Sequence, residues 1–178
     1  MANKNLIAAT LMMVVSMCAM AAEQGGYGTY SMGIATVDDA KGNSGISGTG
    51  LGLSVGGGYN YNKYVGAEVG LNLLGVVGWQ QVMAMPISVS VLGYLPIVDG
   101  INAVGKYGVA NTTMYYSGAA NSGGYTLSGM TSLWGVGVDF APKDGPSYRF
   151  GVDHFDLSVA PGTSVSSNYF NITAVERF

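Results

Sequence analysis

Apolar and polar residues alternate along almost the whole chain, and the alternation falls into eight segments. The apolar positions are Tyr30, Met32 and Ile34; Leu51, Leu53, Val55 and Tyr59; Val65, Ala67, Val69, Leu71 and Leu73; and Met85, Ile87, Val89 and Val91. They continue with Ala103, Tyr107 and Val109; Trp134, Val136, Val138 and Phe140; Tyr148, Phe150 and Val152; and a last set of Phe170, Ile172, Ala174 and Phe178. A period of two is the signature of a strand with one apolar face. The opposite parity carries Gly, Ser, Thr and Asn, with a few charges. The pattern predicts an all-β chain of eight strands.

Which face is inside decides the environment. A water-soluble barrel puts its bulky apolar residues inward and its polar residues outward. Here that arrangement would leave mostly Gly and Ser to form the solvated face, where Gly is a poor strand former. A narrow barrel with the small residues inside and the apolar residues toward lipid fits the same pattern. Connections alternate too. Short turns fall at 61–63, 96–100 and 142–146, and longer connections at 37–48, 75–82, 116–129 and 156–163. The sequence therefore predicts an eight-stranded antiparallel up-and-down transmembrane β-barrel with both termini on the short-turn, periplasmic side. Pro86 lacks an N–H, so it is expected at the outer rim or in a bulge.

Composition sharpens this. Of 178 residues, 29 are Gly and only 10% are charged, while 48% are hydrophobic, which is unusual for one soluble domain. A net charge of −3 offers no basic surface to nucleic acid. Residues 1–21 read as a cleaved signal peptide: Lys4, an apolar run from Leu6 to Met17, and the small-x-small site Ala19-Met20-Ala21. That run is short for a membrane helix. Cys18, the only cysteine, follows Met17, which is not the small residue a lipid-attachment site needs. The barrel domain is then 22–178. Without a cysteine and with a single His, that domain has no metal signature and no predicted cofactor.

Four charged residues are expected to point inward together: Glu68, Lys106, Asp139 and Arg149. Asp139 and Arg149 are equidistant from the centre of their turn, so they should face each other across a hairpin. At ~3.3 Å per residue and a tilt of ~40°, all four lie roughly 13–15 Å from the turn end. Two acids and two bases at that depth can neutralise one another, either as a satisfied polar core or as a gate whose ion pairs exchange partners.

Gly56-Gly-Gly-Tyr-Asn-Tyr-Asn-Lys-Tyr-Val-Gly-Ala-Glu-Val-Gly70, Gly135-Val-Gly-Val-Asp-Phe140, Tyr148-Arg-Phe150 and the ending Val175-Glu-Arg-Phe178 resemble segments of the OmpA-type outer-membrane barrels. The resemblance implies that Glu68, Lys106, Asp139 and Arg149 form the lumenal cluster. It also implies that Phe170, Ile172, Ala174 and Phe178 form the signal read by the barrel-assembly machinery. Outer-membrane lipid, lipopolysaccharide and a host or environmental ligand at the loops are the expected partners. Glu176 departs from the family's usual outward aromatic. No peptidoglycan-binding domain follows Phe178, so cell-wall tethering is not expected.

Enzymatic chemistry has one candidate. His154, Asp156 and Ser158 share the outward parity near the outer rim. A nucleophilic triad places the imidazole between serine and acid, and this spacing places the acid in the middle. The Gly-x-Gly run at 48–58 precedes no helix and is no phosphate loop. Asn111-Thr-Thr and Asn171-Ile-Thr match a glycosylation pattern but fall on or beside strands. The function expected is a structural, envelope-integrity and surface-interaction role, with an ion-conducting pore, an adhesin and a lipid-A-modifying enzyme as alternatives.

Overall fold

The computed structural model describes residues 24–38, 48–76, 81–117, 125–142, 146–160 and 163–178. The leader with Cys18 and the centre of the 142–146 turn lie outside these residues. Eight antiparallel strands form one closed barrel in sequence order: β1 (Gly25–Asp38), β2 (Gly48–Asn60), β3 (Val65–Val76), β4 (Gln81–Val98), β5 (Ile101–Ser117), β6 (Tyr125–Phe140), β7 (Ser147–Ala160) and β8 (Thr163–Arg177). β8 pairs with β1, so no strand edge is left open.

The register fixes the shape. Gly25 faces Asn60, and stepping on through Gly66, Leu92, Lys106, Gly135, Asp153 and Tyr169 returns to β1 at Ala35. The barrel therefore has a stagger of ten residues, which tilts the strands by about 40°. Each cross-strand step climbs about 3 Å toward the loop end. An eight-stranded barrel has an interior just wide enough for side chains.

The outward parity is as the alternation predicts. Leu51 (75% exposed), Tyr107 (70%), Met130 (66%) and Met32 (64%) all face out. Inward glycines allow the tight curvature. A β-carbon on Gly33 would collide with the carbonyl oxygen of Phe170 on β8, so only Gly lets these strands approach there.

Two expectations are corrected. The connections at 116–129 and 156–163 are mostly strand. Pairing continues to Tyr116↔Tyr125 and to Ala160↔Thr163, which leaves only 118–124 and 161–162 between elements. Among the described residues, β5–β6 and β7–β8 are thus tall hairpins. Pro86 is neither at the rim nor in a bulge. It is buried on β4, and the β3–β4 ladder lapses beside it, between Leu71↔Ile87 and Leu74↔Ala84, without a change of register. Asn72 Nδ2 donates to the Pro86 carbonyl at 3.1 Å, so a side chain supplies a bond where the ladder lapses.

At the turn end, Asn62 Oδ1 accepts from the backbone N–H groups of Tyr64 and Val65 (2.8 and 2.9 Å), a side-chain-stabilised turn. Gly100, at φ +78°, takes the left-handed position in the β4–β5 turn.

Candidate functional site in the barrel lumen

Glu68 is the hub of the interior. Its Oε1 meets Lys106 Nζ at 3.0 Å, and its Oε2 accepts from Arg149 Nη1 at 3.0 Å and from the Tyr27 hydroxyl at 3.3 Å. Arg149 Nη2 also donates to the Tyr94 hydroxyl at 3.2 Å. Lys106 reaches a second acid, Asp153 Oδ2, at 3.2 Å, and Asn171 Nδ2 donates to the same oxygen at 3.4 Å.

Two of the contacts that span an intervening strand do so over a glycine. Tyr27, Gly58 and Glu68 lie on one cross-strand row, as do Lys106, Gly135 and Asp153. A β-carbon on Gly58 would collide with the Tyr27 ring, and one on Gly135 with Asp153 Oδ1. The inward glycines therefore position the charges as well as bend the strands.

Asp139 stands apart. It faces Arg149 across the β6–β7 ladder, as the hairpin symmetry requires. Its Oδ2 nevertheless accepts from Arg177 Nη2 at 3.0 Å, and Arg177 also donates to Ser147 Oγ. The expectation that all four charges share one height is corrected by the stagger. Asp139 lies four residues nearer the turn end than Gly135, which shares the Lys106 row, and finds its partner on β8.

Three acids (Glu68, Asp139, Asp153) thus meet three bases (Lys106, Arg149, Arg177), and the paired set is neutral when ionised. The sequence reading missed Asp153, Arg177, Tyr27 and Tyr94 as members. Asp153 and Arg177 do have the inward parity, so the signal was present. The two tyrosines carry no such mark, because one parity cannot tell a hydroxyl that caps an ion pair from one that fills space.

Among the described residues, the space left beside Glu68 is small. A cavity of about 20 Å³, lined by Glu68, Lys106, Arg149, Asp153, Asn171 and Thr173 among others, has room for about one water. Toward the loop end the interior turns apolar. Tyr169, Phe155 and Leu133 lie two residues beyond Asn171, Asp153 and Gly135, and they pack with Leu74, Met114, Val165, Ala35, Val37 and Ala84, all buried. The Tyr169 hydroxyl lies 3.4 Å from Ser31 Oγ.

Outside the barrel, Phe170, Ile172 and Phe178 are about half exposed along β8, and Ala174 shares their face. The Phe178 N–H donates to the Gly26 carbonyl at 3.0 Å, and its ring lies over the outward glycines Gly26 and Gly28. His154 stacks on Trp134 with ring centroids 4.9 Å apart. His154 Nδ1 is 2.7 Å from Asn168 Oδ1, and Nε2 is 3.2 Å from Asp156 Oδ1. Asp156 Oδ2 accepts from Ser132 Oγ at 2.8 Å. The acid lies between the imidazole and this serine, so the imidazole is not placed to take the serine's proton. The side chain of Ser158 lies outside the described residues. Asn171 is buried in the lumen, where no glycan fits. Among the described residues, no group of three His, Cys, Asp or Glu converges on a metal-sized site.

The family described as the outer membrane protein beta-barrel domain matches residues 7–178. No curated protein sequence matches the chain. Among solved structures, the chain is similar to Neisserial surface protein A, with a TM-score of 0.73 and 12% identity over 86% of this chain and 97% of that one. It is also similar to OprG from Pseudomonas aeruginosa (TM-score 0.58, 14% identity, 88% and 98% covered). A third is Ail, the attachment invasion locus protein of Yersinia pestis (0.53, 15%, 85% and 99%). At these identities the likeness is one of fold.

Proposed function

The chain belongs to the outer membrane protein β-barrel family and resides in the bacterial outer membrane, and from that premise we propose that it is a sealed, non-enzymatic barrel. Its work is to support the envelope and to present its loop end at the cell surface, with the termini and short turns in the periplasm. The observation that carries this reading is the filled lumen. A neutral network centred on Glu68 and an apolar layer around Phe155 and Tyr169 stand in series, and the cavity beside Glu68 takes about one water. A wetted ion path would have to cross the apolar layer. The pore reading therefore has less support than the structural one.

The outward row of Phe170, Ile172, Ala174 and Phe178 is suited to recognition by the assembly machinery, because it is an exposed apolar face on the strand that closes the barrel against β1. The proposal for the surface is a host or environmental ligand at the loop end. The Ail structures include one in complex with the heparin analogue sucrose octasulfate. This chain's charge of −3 gives no reason to carry a polyanionic ligand over.

Planar-bilayer recording tests the sealed lumen. Purified wild-type protein is expected to give no unitary conductance, and reproducible channel steps that change in Lys106→Ala would overturn the reading. A strain lacking the protein is expected to leak periplasmic enzymes and to recover on complementation. An intact envelope in that strain would remove the integrity role.

A further inference from the structure

The exterior apolar belt is not of one height. On β4 the outward residues stay apolar from Ile97 to Met83, through Leu95, Val91, Val89 and Ile87, apart from Gly93. At a tilt of about 40° that is a belt about 35 Å tall, more than the ~25 Å band a bilayer needs. On β7 the outward run is Tyr148, Phe150 and Val152, after which His154 and Asp156 follow. On β8 it is Ala174, Ile172 and Phe170, separated by Glu176 from Phe178 below and met by Asn168 and Ser166 above. Each of these runs covers only about 10 Å.

The polar boundary on this side is an organised cluster. Asp156 joins Ser132 to His154, His154 joins Asn168, and Trp134 closes the group from below. Asp156 remains more than half exposed. Acyl chains cannot hydrogen-bond a carboxylate, an amide and a hydroxyl, whereas headgroups and their water can. An indole at the lower edge is the usual mark of a membrane interface.

The levels can be compared through the ladder. Val89, Val109 and Ser132 share a row that climbs about 6 Å over its two steps, and Trp134 is two residues, about 5 Å, below Ser132. Trp134 and Val89 are therefore nearly level on the barrel axis. Above Val89 stand Ile87, Met85 and Met83; above Trp134 stand Ser132 and His154's cluster, and only beyond them the exposed Met130.

We propose that the lipid headgroups of the leaflet at the loop end descend onto the β6–β8 sector, thinning the bilayer there, with Ser132, His154, Asp156 and Asn168 as their contact. This rests on the outer-membrane reading, since it needs the barrel to span a bilayer, which a heat-dependent shift in gel mobility checks separately.

The test is depth-dependent quenching in phosphatidylcholine vesicles brominated at the 6,7, 9,10 or 11,12 acyl positions. Trp79→Phe leaves Trp134 as the only indole, and Trp79→Phe/Trp134→Phe/Val89→Trp places one at the same level on the other side. Trp134 is expected to quench best with 6,7-bromines and the indole at 89 with 11,12-bromines. Adding His154→Leu and Asp156→Leu is expected to move the Trp134 optimum deeper, with the heat-shifted mobility retained. Equal depths for the two indoles would overturn the proposal. So would an unmoved optimum in the leucine variant, or a Trp134 that no bromine reaches, which would mean that a second copy or another protein covers the face.

Discussion

The lumen closes itself twice, by different physics at two levels. Near the turn end the space is filled by ion pairs around Glu68, each contact directional and dependent on its partner. Near the loop end it is filled by Phe155, Leu133, Tyr169 and their neighbours, whose packing is non-directional. The difference lies in how each level fails. An apolar layer loses stability in proportion to the volume removed. A buried charge network fails out of proportion when a single member is lost, because the others remain buried without compensation.

The largest expected effect breaks the first level. Glu68→Ala leaves Lys106 and Arg149 without their shared acceptor and is expected to cost about 3–5 kcal/mol, read from denaturant unfolding in lipid vesicles. A cost near that of a surface substitution would show that the network is not what holds this level. The same experiment sharpens with a balanced change. Glu68→Gln with Lys106→Met removes one acid and one base, so it is expected to cost less than Glu68→Ala alone, despite altering two residues.

The second level is expected to be more forgiving. Leu133→Ala should cost about 2–4 kcal/mol and should not alter the Lys106 or Arg149 contacts, so its effect should add to that of Glu68→Ala. Strong non-additivity would mean that the two levels are one cooperative unit. Smaller again is Gly58→Val, which crowds both the Tyr27 ring on its path to Glu68 and the Ala67 carbonyl and is expected to cost about 1–3 kcal/mol through overpacking. A neutral Gly58→Val would show that Tyr27 and the β3 backbone at Ala67 both have room to move and that the glycine is not there for them. The smallest effect is outside the barrel. Asp156→Asn keeps the shape of the His154 cluster and is expected to change stability by less than about 1 kcal/mol.

Much of the fold was legible. The parity of Val65, Ala67, Val69, Leu71 and Leu73 against Gly66, Glu68, Gly70 and Asn72 assigns the two faces of β3 without any coordinates, because successive side chains on a strand must point to opposite sides. Loop lengths were less legible. At Tyr116 to Gly129 and Asp156 to Thr163, runs rich in Gly, Ser and Ala read as loop, yet pairing continues into them as far as Tyr116↔Tyr125 and Ala160↔Thr163. A strand whose neighbour is already hydrogen-bonded can extend through residues of weak propensity.

The candidate site divides the same way. The sequence by itself determined that Glu68, Lys106, Asp139 and Arg149 face inward, and by the same parity that Asp153 and Arg177 do too, since inwardness is a local property of the pleat. It also determined the apolar exterior and the aromatic ending at Phe178. Only the tertiary structure decided who meets whom. The ten-residue stagger raises each strand against the last, so Asp139 found Arg177 rather than Arg149, and Lys106 reached both Glu68 and Asp153. It also decided that Gly58 and Gly135 are the spaces over which those contacts form, and that the outer belt is tall on β4 and short on β7 and β8. Pairings across a closed barrel depend on the sum of all eight registers, which no single segment of sequence contains.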